Sequence, residues 1–166
     1  SPPKVKFLTR VWHPNISSVT GAICLDILKE NWAASLSIRT IMLSLQALLA
    51  SPEPDDPQDA VVAHQYKIDV ELFRHTARFW TFEFATDLRP ADLDVPEFDR
   101  FEVAIAEFQQ RAAAIRAIRN TAPKGKRVTT ATPPSSTTKS STIDRTIAIA
   151  ALSCSNWNVD DALRSL

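Results

Sequence analysis

The sequence predicts an α+β protein, an incomplete antiparallel sheet with helices followed by a small helical region, on three observations. Apolar and charged residues alternate near the start, apolar residues take up helical spacing from Ile38, and a second set of amphipathic segments follows Pro96 after a polar, acidic stretch. With 166 residues, 45% of them hydrophobic, the chain has room for one ordinary domain plus a small appendage.

In residues 4–11, Val5, Phe7 and Val11 alternate with Lys4, Lys6 and Arg10, the pattern of a half-buried strand. Residues 12–32 have no sustained period but hold the turn formers Pro14, Asn15, Ser17, Ser18 and Gly21, a shaped loop around Cys24. Ile38, Ile41, Met42, Leu45, Leu48 and Leu49 then share one helical face, and the run ends at Ser51-Pro52-Glu53-Pro54. Leu43 and Ala47, with Thr40 beside them, fall on the opposite side as a small outward patch. Asp56-Pro57 has the form of an N-cap and first helical residue, opening a short helix to about Tyr66. Asp69 caps a further helix in which Phe73, Ala77, Trp80 and Phe84 recur at spacings of three and four.

The first domain therefore covers residues 1–85, and 86–95 reads as a linker. Residues 96–120 form an amphipathic helix through Phe101, Ile105, Phe108, Ala112 and Ile115. Residues 121–142, rich in Ser, Thr, Pro and Lys, lack periodic apolar positions and read as flexible. Residues 143–166 read as two short helices, with Asn158 as the cap of the second.

Zero net charge and a pI near 6.8 give no electrostatic reason for a nucleic-acid or membrane partner. No apolar run approaches the roughly 20 residues that span a bilayer. Cys24 and Cys154 alone build no disulfide framework, which suits the cytoplasm or nucleus.

Four stretches together resemble the active-site half of the ubiquitin-conjugating enzymes. They are Pro2-Pro3-Lys4-Val5-Lys6-Phe7, Trp12-His13-Pro14-Asn15-Ile16, Gly21-Ala22-Ile23-Cys24-Leu25-Asp26-Ile27-Leu28 with Trp32, and Leu43-Ser44-Leu45-Gln46-Ala47-Leu48-Leu49 with Pro54-Asp55-Asp56-Pro57. The resemblance implies that Cys24 accepts ubiquitin as a thioester from the activating enzyme and passes it to substrate lysines, in many cases with a ubiquitin ligase. It implies no bound metal or organic cofactor, ATP being consumed upstream by the activating enzyme. Sulfur suits this relay because it is both a good nucleophile and a good leaving group. A buried, inert cysteine is the plain alternative for an isolated Cys, and Cys154, outside the motif, reads as a passive thiol. No His or Lys stands next to Cys24 in the sequence to activate it.

By the same resemblance Asn15 donates to the oxyanion of the transfer step, although an Asn after Pro also organises turns. Asp56 orients and desolvates the incoming amine, or else caps the helix that follows. His13 and Pro14 are structural members of the motif. Leu43, Ala47 and Thr40 become a surface against which donor ubiquitin folds back.

The run Pro57-Gln58-Asp59-Ala60-Val61-Val62-Ala63 and the pair Ser17-Ser18 resemble the huntingtin-interacting-protein type of conjugating enzyme, which builds degradation-type chains and carries a C-terminal ubiquitin-associated domain. Ala151-Leu152, Trp157-Asn158-Val159-Asp160 and residues 162–166 look like the later helices of such a domain. Three departures stand beside this. The helix and strands that open the family's fold are expected before Ser1, so residues 1–85 read as an N-terminally truncated domain. Ser141-Thr142-Ile143 replaces the ubiquitin-contacting Met-Gly-Phe-like loop. Residues 109–141 form an extra segment, an insertion or an artefact of gene prediction. The rival reading is a non-catalytic ubiquitin-binding or scaffold fragment that cannot be loaded.

Overall fold

The computed structural model describes residues 1–88, 95–121 and 143–166. The expected linker, apart from its ends, and the expected Ser/Thr/Pro-rich segment lie outside the described residues. Two compact units are present, Ser1–Asp99 and Arg100–Leu166.

In the first unit, α1 (Ile38–Ala50) starts at Ser37, whose side chain accepts from the Thr40 amide, and ends where the Ser51 amide closes on Ala47 ahead of Pro52. Its buried stripe is narrower than the apolar spacing predicts. Ile41 and Leu45 are buried, whereas Ile38, Met42 and Leu49 are exposed, because among the described residues the core that α1 packs on is the small cluster of Ile16 and Ile23 with partly buried neighbours such as Val5, Phe7, Leu25 and Trp32.

The helix expected from Pro57 begins later. α2 (Ala60–Ile68) is capped by Asp59, not Asp56: the Asp59 side chain accepts from the Val62 amide. The reason lies in residues 58 and 59, whose amides both donate to the Pro14 carbonyl at 2.9 Å and hold the chain in a turn. The second carboxylate oxygen of Asp59 takes the Ser18 amide and hydroxyl at 3.0 and 2.6 Å, tying the cap to the Ser17-Ser18 turn.

Asp69 closes α2 with its own amide on the Gln65 carbonyl and opens α3 (Val70–Ala85) with its side chain on the Leu72 amide. Phe73 and Trp80 are buried, as the spacing predicts. Trp12 packs on Trp80 with ring centroids 4.9 Å apart and donates its indole N–H to the side-chain Oε1 of Gln65 at 2.8 Å, so the polar edge of a buried ring is satisfied.

Residues 4–11 do not form a strand. Val5 and Phe7 are half-buried and Lys4, Lys6 and Leu8 exposed, so the alternation survives, but the segment pairs with its neighbour through a single antiparallel bridge, Lys6 to Ala22. The other bridges join His13 to Ile16 and Ile16 to Ile23. Among the described residues the expected sheet is thus a set of isolated antiparallel bridges, because a ladder needs a partner running alongside and here the partner is a turn. Gly21 makes that turn. Its φ is +73°, and a Cβ there would meet the Phe7 carbonyl oxygen at 2.0 Å.

α4 (Pro96–Thr121) starts in the first unit, where Phe98 sits edge-on to Phe79 at 5.3 Å, so the boundary between units falls inside this helix rather than at residues 86–95. The rest of α4 forms the second unit with α5 (Arg145–Cys154) and α6 (Val159–Arg164). Phe101, Ala104, Ile105, Phe108 and Ala112 of α4 are buried, together with Ile149 and Leu152 of α5 and Ala162 of α6. Asp144 caps α5, and Asn158 caps α6 as its sequence position predicts. Trp157 stacks on Phe101 at 4.0 Å, and Arg145 grips both carboxylate oxygens of Glu102 at 2.7 and 2.9 Å. No helix among the described residues is long and apolar enough to cross a membrane.

Candidate active site

The polypeptide around Cys24 is held by its own backbone first. The Cys24 amide donates to the Asn15 carbonyl at 2.9 Å, and the Ser17 amide to the Ala22 carbonyl at 2.8 Å, so the thiol and the His-Pro-Asn turn are fixed to each other. Cys24 is half-buried, neither sealed in the core nor fully in solvent, and makes no disulfide.

The side chain of Asn15, 2% exposed, reaches the 53–56 loop. Its Nδ2 donates to the Glu53 carbonyl at 2.9 Å and the Asp56 carbonyl at 3.0 Å, and its Oδ1 accepts from the Glu53 amide at 2.9 Å. One residue therefore binds Cys24 through its main chain and the 53–56 loop through its carboxamide. Both Nδ2 hydrogens are engaged, so donation to an oxyanion at Cys24 requires one of these bonds to be exchanged.

The consequence is the placement of Asp56. With Asp59 capping α2, the Asp56 carboxylate is exposed and lies 3.8 Å from the Cys24 sulfur. Its backbone, not its carboxylate, is what Asn15 holds.

His13 is 4% exposed, and its Nδ1 accepts from the Asn15 amide at 3.1 Å. Burial pushes the imidazole below its ordinary pKa; the Leu48 backbone carbonyl pulls the other way but completes no hydrogen bond to Nε2. The ring is thus a neutral turn brace. Pro14 is buried and contributes the carbonyl that receives residues 58 and 59.

Lys29 corrects the reading that no cation stands beside the thiol: its Nζ lies 3.1 Å from the Cys24 sulfur. The contact with Cys24, by hydrogen bond and then by charge, holds the ammonium above the usual lysine pKa. A 3₁₀ turn at Asp26–Leu28 folds the chain back between the two residues. Such a single turn leaves no periodic trace in sequence, but Asp26 two residues after the cysteine is its one visible signal.

On α1, Leu43 and Ala47 are exposed and Thr40 is half-exposed beside Ser37. Leu43 also lines an apolar groove of about 530 Å³ with Val5, Phe7, Met42 and Leu49, so the outward patch is wider than the sequence suggests. Among the described residues, no group of three His, Cys, Asp or Glu side chains is placed to hold a metal ion.

A partly exposed thiol, a facing carboxylate and a carboxamide-pinned loop are the parts that the sequence motif names. Residues 1–81 match the ubiquitin-conjugating enzyme family. The chain is 61% identical over 100 residues to ubiquitin-conjugating enzyme E2 K of Homo sapiens, covering 60% of this chain and 48% of that protein. To ubiquitin-conjugating enzyme E2 21 of Caenorhabditis elegans it is 44% identical over 163 residues, 98% of this chain and 59% of that one. The alignment with the nematode protein therefore runs through residues 109–141. A solved E2 domain of a Toxoplasma gondii ubiquitin conjugating enzyme superposes with a TM-score of 0.50 at 60% identity, covering 51% of this chain and 59% of that one. The chain spans about half the length of the curated relatives it matches.

Proposed function

We propose that this chain carries a ubiquitin-conjugating transferase centre in which Cys24 accepts ubiquitin as a thioester from the activating enzyme and hands it to lysine amines. The observation that carries the reading is the Cys24 sulfur, half-exposed, with the Asp56 carboxylate 3.8 Å away in a segment matched to the family. Asp56 receives the incoming amine, aligns it and favours loss of its proton as nitrogen attacks the carbonyl. Asn15 serves first as the clamp that keeps Asp56 beside the thiol, and lends a donor to the oxyanion when one of its loop bonds exchanges. His13 and Pro14 hold the turn. Leu43, Ala47 and Thr40 offer the donor ubiquitin a surface that narrows the geometries open to the thioester.

In the same reading the chain is of the huntingtin-interacting-protein type and builds degradation-type chains with a ligase, in the cytoplasm or nucleus. It uses no resident cofactor, and the α4–α6 unit serves as a ubiquitin-associated module. The grouping of α4 from Arg100 with α5 and α6 in one compact unit and the near-complete alignment with the nematode relative support this assignment.

The test is incubation of the chain with activating enzyme, ATP and ubiquitin, followed by a non-reducing gel. A thiol-sensitive adduct that disappears in Cys24→Ala is expected. An adduct that survives this substitution, or none in the unaltered chain, refutes the transferase reading and leaves a ubiquitin-binding fragment.

A further inference from the structure

We infer that Asp59 is a positioning residue for the transfer step: its carboxylate ties the far end of the 53–59 loop to the turn that carries Cys24, and so sets where the Asp56 carboxylate stands. This rests on the thioester reading above and adds a residue to it.

Asp56 needs such support. Residues 55–58 are all exposed, and from this stretch the Asp56 carboxylate reaches to within 3.8 Å of the sulfur. Asn15 holds the near side of the loop, through the Glu53 amide and carbonyl and the Asp56 carbonyl. A segment held on one side only is free to pivot there. The far side is held at Asp59, three positions beyond Asp56. The Gln58 and Asp59 amides both go to the Pro14 carbonyl at 2.9 Å, and the Oδ2 atom of Asp59 accepts from the Ser18 amide at 3.0 Å and the Ser18 hydroxyl at 2.6 Å. Ser18 belongs to the thiol's own turn. Beside it, the Ser17 amide donates to the Ala22 carbonyl at 2.8 Å and the Ser17 carbonyl accepts from the Gly21 amide at 2.9 Å, while the Cys24 amide returns to the Asn15 carbonyl. The loop is therefore fastened to the Cys24 turn on both sides of Asp56.

Capping α2 does not account for this arrangement. A cap uses one oxygen: Oδ1 of Asp59 meets the Val62 amide at 3.3 Å, just as Asp69 and Asn158 cap α3 and α6 through Oδ1. The second oxygen of Asp59 is surplus to the helix, and it makes the shorter bonds, to a residue 41 positions away. The hydroxyl bond lies in the range of charge-assisted O–H to carboxylate contacts, roughly twice as strong as neutral ones. Ser18 is buried, so its hydroxyl has little water to turn to. The two stretches of sequence that stand out as a pair, Ser17-Ser18 and the run from Pro57, thus meet at this one carboxylate.

Asparagine caps helices about as well as aspartate, but it offers one acceptor oxygen in place of two. In Asp59→Asn the oxygen that stays on the Val62 amide leaves an NH₂ group opposite the Ser18 amide, donor against donor. The hydroxyl can rotate to suit, whereas the amide cannot. This substitution therefore separates the latch from the cap.

The experiment loads Cys24 of the whole chain with a short glycine-ended peptide thioester, which needs no activating enzyme. Excess donor is removed, and loss of the Cys24 adduct is followed by mass spectrometry on addition of free lysine or of a small thiol. Asp56 assists an amine, which must shed a proton, and has no such task for an incoming thiolate. Asp59→Asn should slow discharge to lysine at least about tenfold and leave discharge to the thiol unchanged, with hydrogen exchange at the Val62 amide unaltered. Asp59→Ala, which removes both oxygens, should slow lysine discharge at least as much, and Ser18→Ala, which removes one of the two donors, should slow it less. In an Asp56→Asn background, where no carboxylate is left to place, adding Asp59→Asn should slow lysine discharge no further. The inference is overturned by lysine discharge unchanged in both Asp59 variants, by equal slowing toward lysine and thiol, by the same fold loss with and without the Asp56 carboxylate, or by failure of the donor to acylate Cys24. A chain that responds as expected yet takes no ubiquitin from the activating enzyme keeps this inference and sinks the transferase reading; a chain that loads ubiquitin while its Asp59 variants discharge normally does the reverse.

Discussion

The Cys24 region and the α4–α6 unit are built by opposite means. The helical unit closes on apolar side chains at spacings of three and four, with Phe101, Phe108, Ile149 and Leu152 all buried. The Cys24 region instead depends on polar groups meeting distant backbone: the side chains of Asn15 with residues 53 and 56 and of Asp59 with Ser18, and the Pro14 carbonyl with the amides of residues 58 and 59. Apolar packing tolerates changes that keep volume, whereas a buried polar hub leaves unsatisfied partners when one atom goes. A reactive site suits the second construction, since hydrogen bonds fix direction as well as proximity.

Three substitutions or conditions press on that contrast. The largest loss is expected from Phe101→Ala, which removes a fully buried ring stacked on Trp157. The helical unit should lose about 3–5 kcal/mol, read as an earlier urea transition in the fluorescence of Trp157. A loss under about 1 kcal/mol would mean that the stack contributes little to this unit.

Asn15→Ala comes next. It deletes three hydrogen bonds at once and should cost roughly 2–4 kcal/mol. Faster hydrogen exchange at the Glu53 amide should report the freed loop. In the discharge assay Cys24 should still load, while transfer to free lysine slows by at least about tenfold because Asp56 is no longer held. Unchanged exchange at Glu53 would contradict the clamp, and unchanged discharge would remove both roles given to Asn15.

The smallest effect is pH-dependent and belongs to His13. Its folded pKa lies below the ordinary 6.5, so the unfolded chain takes up the proton first as pH falls. The stability of the neutral ring is complete above the ordinary value and is lost as pH drops from there toward the lower folded value. The melting temperature should therefore decline as pH falls below the ordinary 6.5, and less so in His13→Gln. A profile identical in both proteins would show that this ring does not couple to folding.

The same contrast explains what the sequence could and could not disclose. Phe73 and Trp80 of α3, the α4 stripe as far as Ala112 and the Asn158 cap were legible because a helix records its buried face and its start within a few residues, whereas Ile115, expected on the same stripe, is exposed. Residues 4–11 show the limit of that logic. Their alternation is real, but whether alternating residues become a strand is decided by a partner elsewhere in the chain. Asp56 and Asp59 were hard to separate, since each precedes a helix-compatible run and only the pull of the Pro14 carbonyl on residues 58 and 59 selects the later one. The motif pointed to Cys24, Asn15 and Asp56, yet not to the partners of Asn15, which lie 38 and 41 positions away. Lys29 was hidden by the 3₁₀ turn, whose single hydrogen-bonded loop has no repeat to read.

Asp69 is the last residue of one helix's hydrogen-bond network and the first of the next. Such a corner has no slack: the heading of α3 out of α2 is dictated by a single amino acid instead of a tether, and inserting even one residue there would require a second residue to take over half the work. Variation in length should therefore be tolerated elsewhere along the chain before it is tolerated at this joint.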